Sequence, residues 1–246
     1  MMGKFQRPAE KADDHGENLF ATMPEDLPST YTGHKFFLLF IFLLAYLIFY
    51  PYAEINTTGY AIFRVLAVAI TVLSVYAVSF RRSVAIIALA LAVPALLHRL
   101  SILRNDTSAL SIANMCLTLA FDAFIIIVVF HRIFIRGRHD SDAIFGALSI
   151  YLLVGFSFSN VYGLLDKLQT NAFYLDPATN LHAVPNHVDF IYYSFATMTS
   201  LGAAGIVAIS DQARSLSVIE SLLGLLYLAV LISRLMSAYP SRALRE

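Results

Sequence analysis

The sequence predicts an all-α membrane protein: six transmembrane helices, with a short re-entrant helix and a following loop between the fifth and the sixth. Three observations carry that expectation. Of 246 residues, 58% are hydrophobic and 14% charged, and the mean hydropathy is +0.68, which is more apolar surface than a soluble domain of this length buries. Six apolar runs approach the roughly 20 residues that cross a hydrocarbon core. One further apolar run, about a dozen residues long, is too short to cross and lies between the last two long ones, the position of a segment that enters and returns.

Residues 1–35 are polar, mixed in charge and punctuated by Pro8, Pro24 and Pro28, the composition of a flexible cytoplasmic tail. Residues 36–140 form a peripheral membrane domain of four spans: Phe36–Ala53, Tyr60–Phe80, Ser83–Leu103 and Leu110–Ile135. Residues 141–240 hold the fifth span, Ala143–Leu165, the short segment Val188–Thr199 and the sixth span, Ser215–Tyr239. Residues 241–246 are a second short tail. Cationic side chains sort the loops. Lys4, Arg7, Lys11, Lys35, Arg81, Arg82, Arg132, Arg136, Arg138, Arg242 and Arg245 fall on one side, against Arg104, Lys167 and Arg214 on the other. By the positive-inside rule both termini are cytoplasmic in a multi-pass protein of the inner cell membrane, and the short segment enters from outside.

The fourth span is not a voltage sensor by pattern, because Leu117–Phe130 carries no Lys or Arg, and Arg132, Arg136 and Arg138 read as cytoplasmic anchors. The single Cys116 lies in an apolar run and reads as a core residue. The histidines show no metal-ligand spacing, and no P-loop, G-x-S-x-G or H-E-x-x-H occurs, so no enzyme and no cofactor are expected. A formal net charge of zero favours neither nucleic acid nor an acidic soluble partner, and the bilayer is the partner the composition implies.

Two ionisable residues stand inside apolar runs, where such groups default to function. Asp122 in the fourth span is expected to pair with a polar or basic residue of a neighbouring span. Glu220 in the sixth is expected to brace the short segment, with Ser194, Thr197 and Asp189 as candidate partners. Asp189 is suited to cap a helix over Phe190–Met198, after which Thr199 and Ser200 open an extended stretch.

The run from Tyr192 through Thr197, Met198, Thr199, Ser200, Leu201, Gly202, Ala203, Ala204 and Gly205 resembles the pore helix and filter loop of the potassium-channel family. The flanking segments, Ile144–Leu153 and Ala213–Leu235, resemble the outer and inner helices of small bacterial two-span pore domains, so the likeness covers roughly 141–239. It implies a homotetrameric channel passing monovalent cations, potassium foremost. Thr199, Ser200, Leu201, Gly202, Ala203, Ala204 and Gly205 would be the ion filter, with Asp189, Thr197 and Glu220 as filter support. Leu223, Tyr227 and Leu231 would line the cavity below. The chain departs from the family where it matters most. Gly202-Ala203-Ala204-Gly205 stands in place of Gly-Tyr-Gly-Asp, so a methyl group replaces the packing tyrosine and a second filter glycine is lost. The alternative that the departure supports is a non-conducting scaffold or silent channel subunit.

Overall fold

The computed structural model describes residues 34–53, 55–100, 108–135, 141–169, 171–180, 184–202 and 205–238. Residues 1–33 of the first expected tail, the whole of the second, 241–246, and the end of the expected sixth segment, 239–240, lie outside the described residues, as do Ala203 and Ala204. The helices are α1 (Lys35–Phe49), α2 (Thr57–Val78), α3 (Arg82–Leu100), α4 (Ser108–Phe130), α5 (Ser141–Leu168), α6 (His187–Met198) and α7 (Asp211–Ala238). A 3₁₀ turn, Tyr50–Ala53, follows α1, and a π-helical turn, His131–Ile135, follows α4. Each expected span is a helix within a few residues of its sequence bounds.

Among the described residues, five helical segments are long and apolar enough to cross a membrane: Lys35–Ala53, Thr57–Val78, Ser111–Ile135, Asp142–Leu168 and Asp211–Ser233. The third expected span differs. Its described apolar stretch, Arg82–Leu96, is shorter, and Pro94 lies inside the helix, where it removes one backbone hydrogen bond.

The fold is not purely helical. β1 (Phe173–Leu175) pairs antiparallel with β2 (Ile206–Ala208), in the register Phe173↔Ala208, Tyr174↔Val207, Leu175↔Ile206. Three residues per strand carry too short an alternation to stand out from a loop, which is why a wholly helical chain was the expectation. The inward residues Phe173, Leu175, Ile206 and Ala208 are buried against Tyr162, Phe190 and Tyr193. The larger core joins α1, α2, α4 and α5 through Leu39, Leu43, Phe63, Phe121, Ile125 and Leu153.

Two ties set the frame. The Asp142 carboxylate at the start of α5 accepts from the backbone N–H of Phe37 at 3.0 Å and of Phe36 at 3.4 Å. It therefore serves the unsatisfied donors of the first turn of α1, whose own N-cap, His34, makes no side-chain cap. Arg132 lies with its guanidinium carbon 4.7 Å from the Phe80 ring centroid, a cation–π contact that fits an anchor rather than a moving sensor charge. Cys116 departs from expectation: it is exposed, because it falls on the outward side of α4.

Asp142→Ala is expected to lower stability by about 1 kcal/mol, the usual worth of a helix N-terminal acceptor. Asp142→Asn, which keeps an acceptor oxygen, is expected to cost less. The denaturation midpoint in detergent micelles checks the order.

Candidate functional site

Helix α6 is short because both of its ends are closed. Asn186, not Asp189, is its N-cap. The Asn186 Oδ1 accepts from the N–H groups of Val188 at 2.8 Å and Asp189 at 3.1 Å, while Asp189 Oδ2 accepts from Asn186 N–H at 2.9 Å. This reciprocal pair is a capping box, and it starts the helix three residues before the Phe190 expected from sequence. Asp189 thus supports the helix from its third position.

The far end is a Schellman motif. The Leu201 N–H donates to the Ala196 carbonyl at 2.8 Å, and the Ser200 N–H donates to the Thr197 carbonyl at 3.0 Å. Ser200 occupies the left-handed position, φ +58°, that glycine usually fills. Thr199 caps the helix in the αR region, and its hydroxyl donates to the Phe195 carbonyl at 2.6 Å. Thr199 and Ser200, expected to open an extended stretch, therefore close the helix instead. Leu201 and Gly202 follow, both exposed, with Gly202 at φ +81°.

Three helices meet at Glu220. This residue of α7 is fully buried. The Tyr162 hydroxyl of α5 donates to its Oε2 at 2.6 Å. The Ser194 hydroxyl of α6 lies 2.5 Å from its Oε1 and 2.7 Å from the Gly155 carbonyl, so one hydrogen is shared between two acceptors on different helices. Of the three partners expected for Glu220, Ser194 is found there. Asp189 is engaged at the helix start, and Thr197 contributes its carbonyl to the helix end. A parallel tie, Tyr193 Oη to Ser217 Oγ at 2.6 Å, joins α6 to α7 nearby.

Close approach completes the docking. A Cβ at Gly224 of α7 would meet the Met198 carbonyl oxygen and lie 2.6 Å from Met198 Cγ. A Cβ at Gly155 of α5 would lie 2.7 Å from the tip of the Phe195 ring. A side chain at Gly224 would press on the α6 backbone, and one at Gly155 would displace the Phe195 ring.

Past the loop, the chain is caught from the other side. The carbonyl of Gly205 accepts from the Asp176 N–H at 2.8 Å and from Asn180 Nδ2 at 2.9 Å. Gly205 sits at φ +89°, and a Cβ there would come within 2.9 Å of Asn180 Nδ2. An acidic residue at this position would be strained twice over. The loop Asp166–His187, which by sequence shows no recognisable chemistry, supplies this clasp and β1. The sequence signal, an Asp-Pro-x-x-Asn turn, is common enough to pass unnoticed.

Two of the three residues expected to line a cavity face elsewhere. Leu231 is buried, and Tyr227 turns its hydroxyl onto the Ala147 carbonyl of α5 at 2.6 Å, while Leu223 is exposed. Tyr162, Gly155, Gly224 and Asn180 are site residues that sequence reasoning missed.

Residues 143–239 match a protein-family model described as an ion channel. No curated protein matches the chain, and no solved structure does. The matched segment contains α6, the loop, Glu220 and most of both flanking helices.

Gly224→Ala is expected to destabilise by about 1–3 kcal/mol, the usual cost of forcing a group into filled space. Ser200→Gly, by relieving a left-handed non-glycine residue, is expected to stabilise by up to about 1 kcal/mol. Thermal unfolding of both variants checks the opposite signs.

Proposed function

We propose that this chain is a subunit of a potassium-channel-like ion channel, passing monovalent cations passively across the inner cell membrane as a homotetramer. The observation that carries the reading is α6: a capped helix too short to span, docked between two long apolar helices, ending in a loop pinned on both sides. It lies inside the segment that resembles the ion-channel family. Such an element has a physical purpose in a bilayer, where irregular backbone at depth is tolerated only when protein-buried or lining a water-filled path.

In this reading α1 to α4 are peripheral spans, α5 is the outer helix, α6 the pore helix and α7 the inner helix. Both termini are cytoplasmic. Each of four subunits presents Thr199 to Gly205 at the axis, where backbone carbonyls replace part of an ion's hydration shell. The negative end of the α6 dipole faces that site and favours a cation. Leu222, Leu226, Val230 and Met236 are exposed on α7, which supports a neighbouring copy as one of the surfaces covering this helix. Asp189, Thr197 and Glu220 act as filter support, and Asn180 joins them. The loop lacks the family's tyrosine, so selection between potassium and sodium is expected to be weak.

Purified protein in planar bilayers, with potassium and sodium gradients opposed, tests the reading. The expected current reverses between zero and the potassium potential. Absence of current from a verified tetramer would contradict conduction and leave the silent-subunit alternative.

A further inference from the structure

Residues of α1, α2, α4, α5 and the start of α6 line a space of about 600 Å³. Its lining is graded along the helix axes. Lys167 Nζ donates to Ser111 Oγ at 2.5 Å, which puts the end of α5 beside the start of α4. The Phe63 and His187 rings lie 6.4 Å apart, which puts the start of α2 beside the start of α6. At this shared end Tyr60, Lys167 and His187 are exposed, and Arg64, Ser111 and Asp166 are partly so. From Ser111 the α4 wall runs inward through Met115 and Thr118 to Asp122. That is one helix face, about 16 Å long at 1.5 Å per residue, or about half of a roughly 30 Å hydrocarbon core. The lining residues farthest from the shared end, Leu43, Ile70, Asp122 and Leu153, are at most 5% exposed.

The hydroxyls of the lining do not choose its occupant. Ser111 accepts from Lys167, Thr118 donates to the Asn114 carbonyl at 3.0 Å, and Ser159 donates to the Phe156 carbonyl at 2.8 Å. Nor does one sign of charge, since Arg64 and Lys167 share the lining with Asp122 and Asp166. What these groups have in common is their hydration. Charged side chains keep a large desolvation cost even when they are paired, and four of them, from α2, α4 and α5, border this one space. The side-chain amide of Asn160, on the α5 wall, makes no hydrogen bond among the described residues. Against hydrocarbon it would lose its water with nothing in return. The space is many times the roughly 30 Å³ that one water takes in the liquid.

We propose that this space is an aqueous crevice, open at the end where α6 starts and closed about halfway along the peripheral helices. It admits water and small hydrophilic solutes of either charge to the middle of the helix bundle. Asn186 and His187 line it too, and Asn186 is the N-cap of α6, so the same water bathes the start of that helix. That the crevice faces the outer solution, and that its water adjoins a pore helix, rests on the function proposed above. The crevice itself does not.

Cysteine accessibility tests it without a current. Cys116, exposed on the outward side of α4, is first removed as Cys116→Ser. In that background Tyr60→Cys marks the mouth, and Met115→Cys and Thr118→Cys mark the depth. Leu117→Cys marks the outward side of α4, one residue from Thr118. Each variant in sealed vesicles is treated from one side at a time with a membrane-impermeant trimethylammonium methanethiosulfonate, and labelling is read by mass. Met115→Cys and Thr118→Cys are expected to react from the side that labels Tyr60→Cys, at least about tenfold faster than Leu117→Cys, whose thiol in hydrocarbon stays protonated and unreactive. If Thr118→Cys does not fold, Met115→Cys decides. Either deep cysteine, in folded protein, reacting as slowly as Leu117→Cys would overturn the proposal; a lipid chain filling the space would give that result. Reaction only from the side opposite Tyr60→Cys would overturn it as well. Labelling of the mouth and both deep positions from the cytoplasmic side would contradict the orientation given above and still support the crevice.

Discussion

The carboxyl group of Glu220 sits where water does not reach, and its two oxygens are met by hydroxyls from two other helices. Placing such a group in an apolar interior is costly unless its hydrogen bonds are made. Here they are made only when α5, α6 and α7 hold their observed register, since Tyr162, Ser194 and Glu220 come from the three in turn. A helix of twelve residues has little stability of its own. Its position follows from this junction, from the two glycine contacts at Gly155 and Gly224, and from the capping box at its start.

The same arrangement explains why the loop after α6 is defined at both ends. One end is the helix terminus, where the Ala196 and Thr197 carbonyls are bound by the turn itself. The other is Gly205, whose carbonyl is held by Asp176 and Asn180 and whose neighbours enter a two-stranded sheet. In the potassium-channel resemblance a tyrosine inside the filter supplies support against the pore helix. This chain has alanine there, and hydrogen bonds from Asp176 and Asn180 hold the loop at the Gly205 carbonyl.

Much of the architecture was legible in the sequence. Long apolar runs make long helices because each span must satisfy its backbone internally, and the runs starting at Phe36, Tyr60 and Ala143 became helices close to those bounds. Glu220 was legible as a brace because an acid in an apolar run demands partners, and Ser194 was found among them. Tyr162 was not, since a tyrosine in an apolar helix looks like any other aromatic until its hydroxyl is placed. The glycine contacts were hidden because they depend on helix crossings rather than on local pattern. The sheet and the Asn180 clasp were hidden because their pairing spans about 30 residues of chain with only three per strand. Asp189 was misread by one role: its type and position fit a cap, but Asn186, three residues earlier, took that place and left Asp189 as the reciprocal partner.

Glu220 holds α6 in place through Ser194, and amide hydrogen exchange measures that hold most directly. In lipid nanodiscs the amides of residues 190–198 are expected to be strongly protected in the native protein. In Glu220→Ala they are expected to exchange markedly faster, while α1, α2 and α4 keep their protection. Unchanged protection of 190–198 in Glu220→Ala would contradict the account, because the helix would then be held by its other contacts alone.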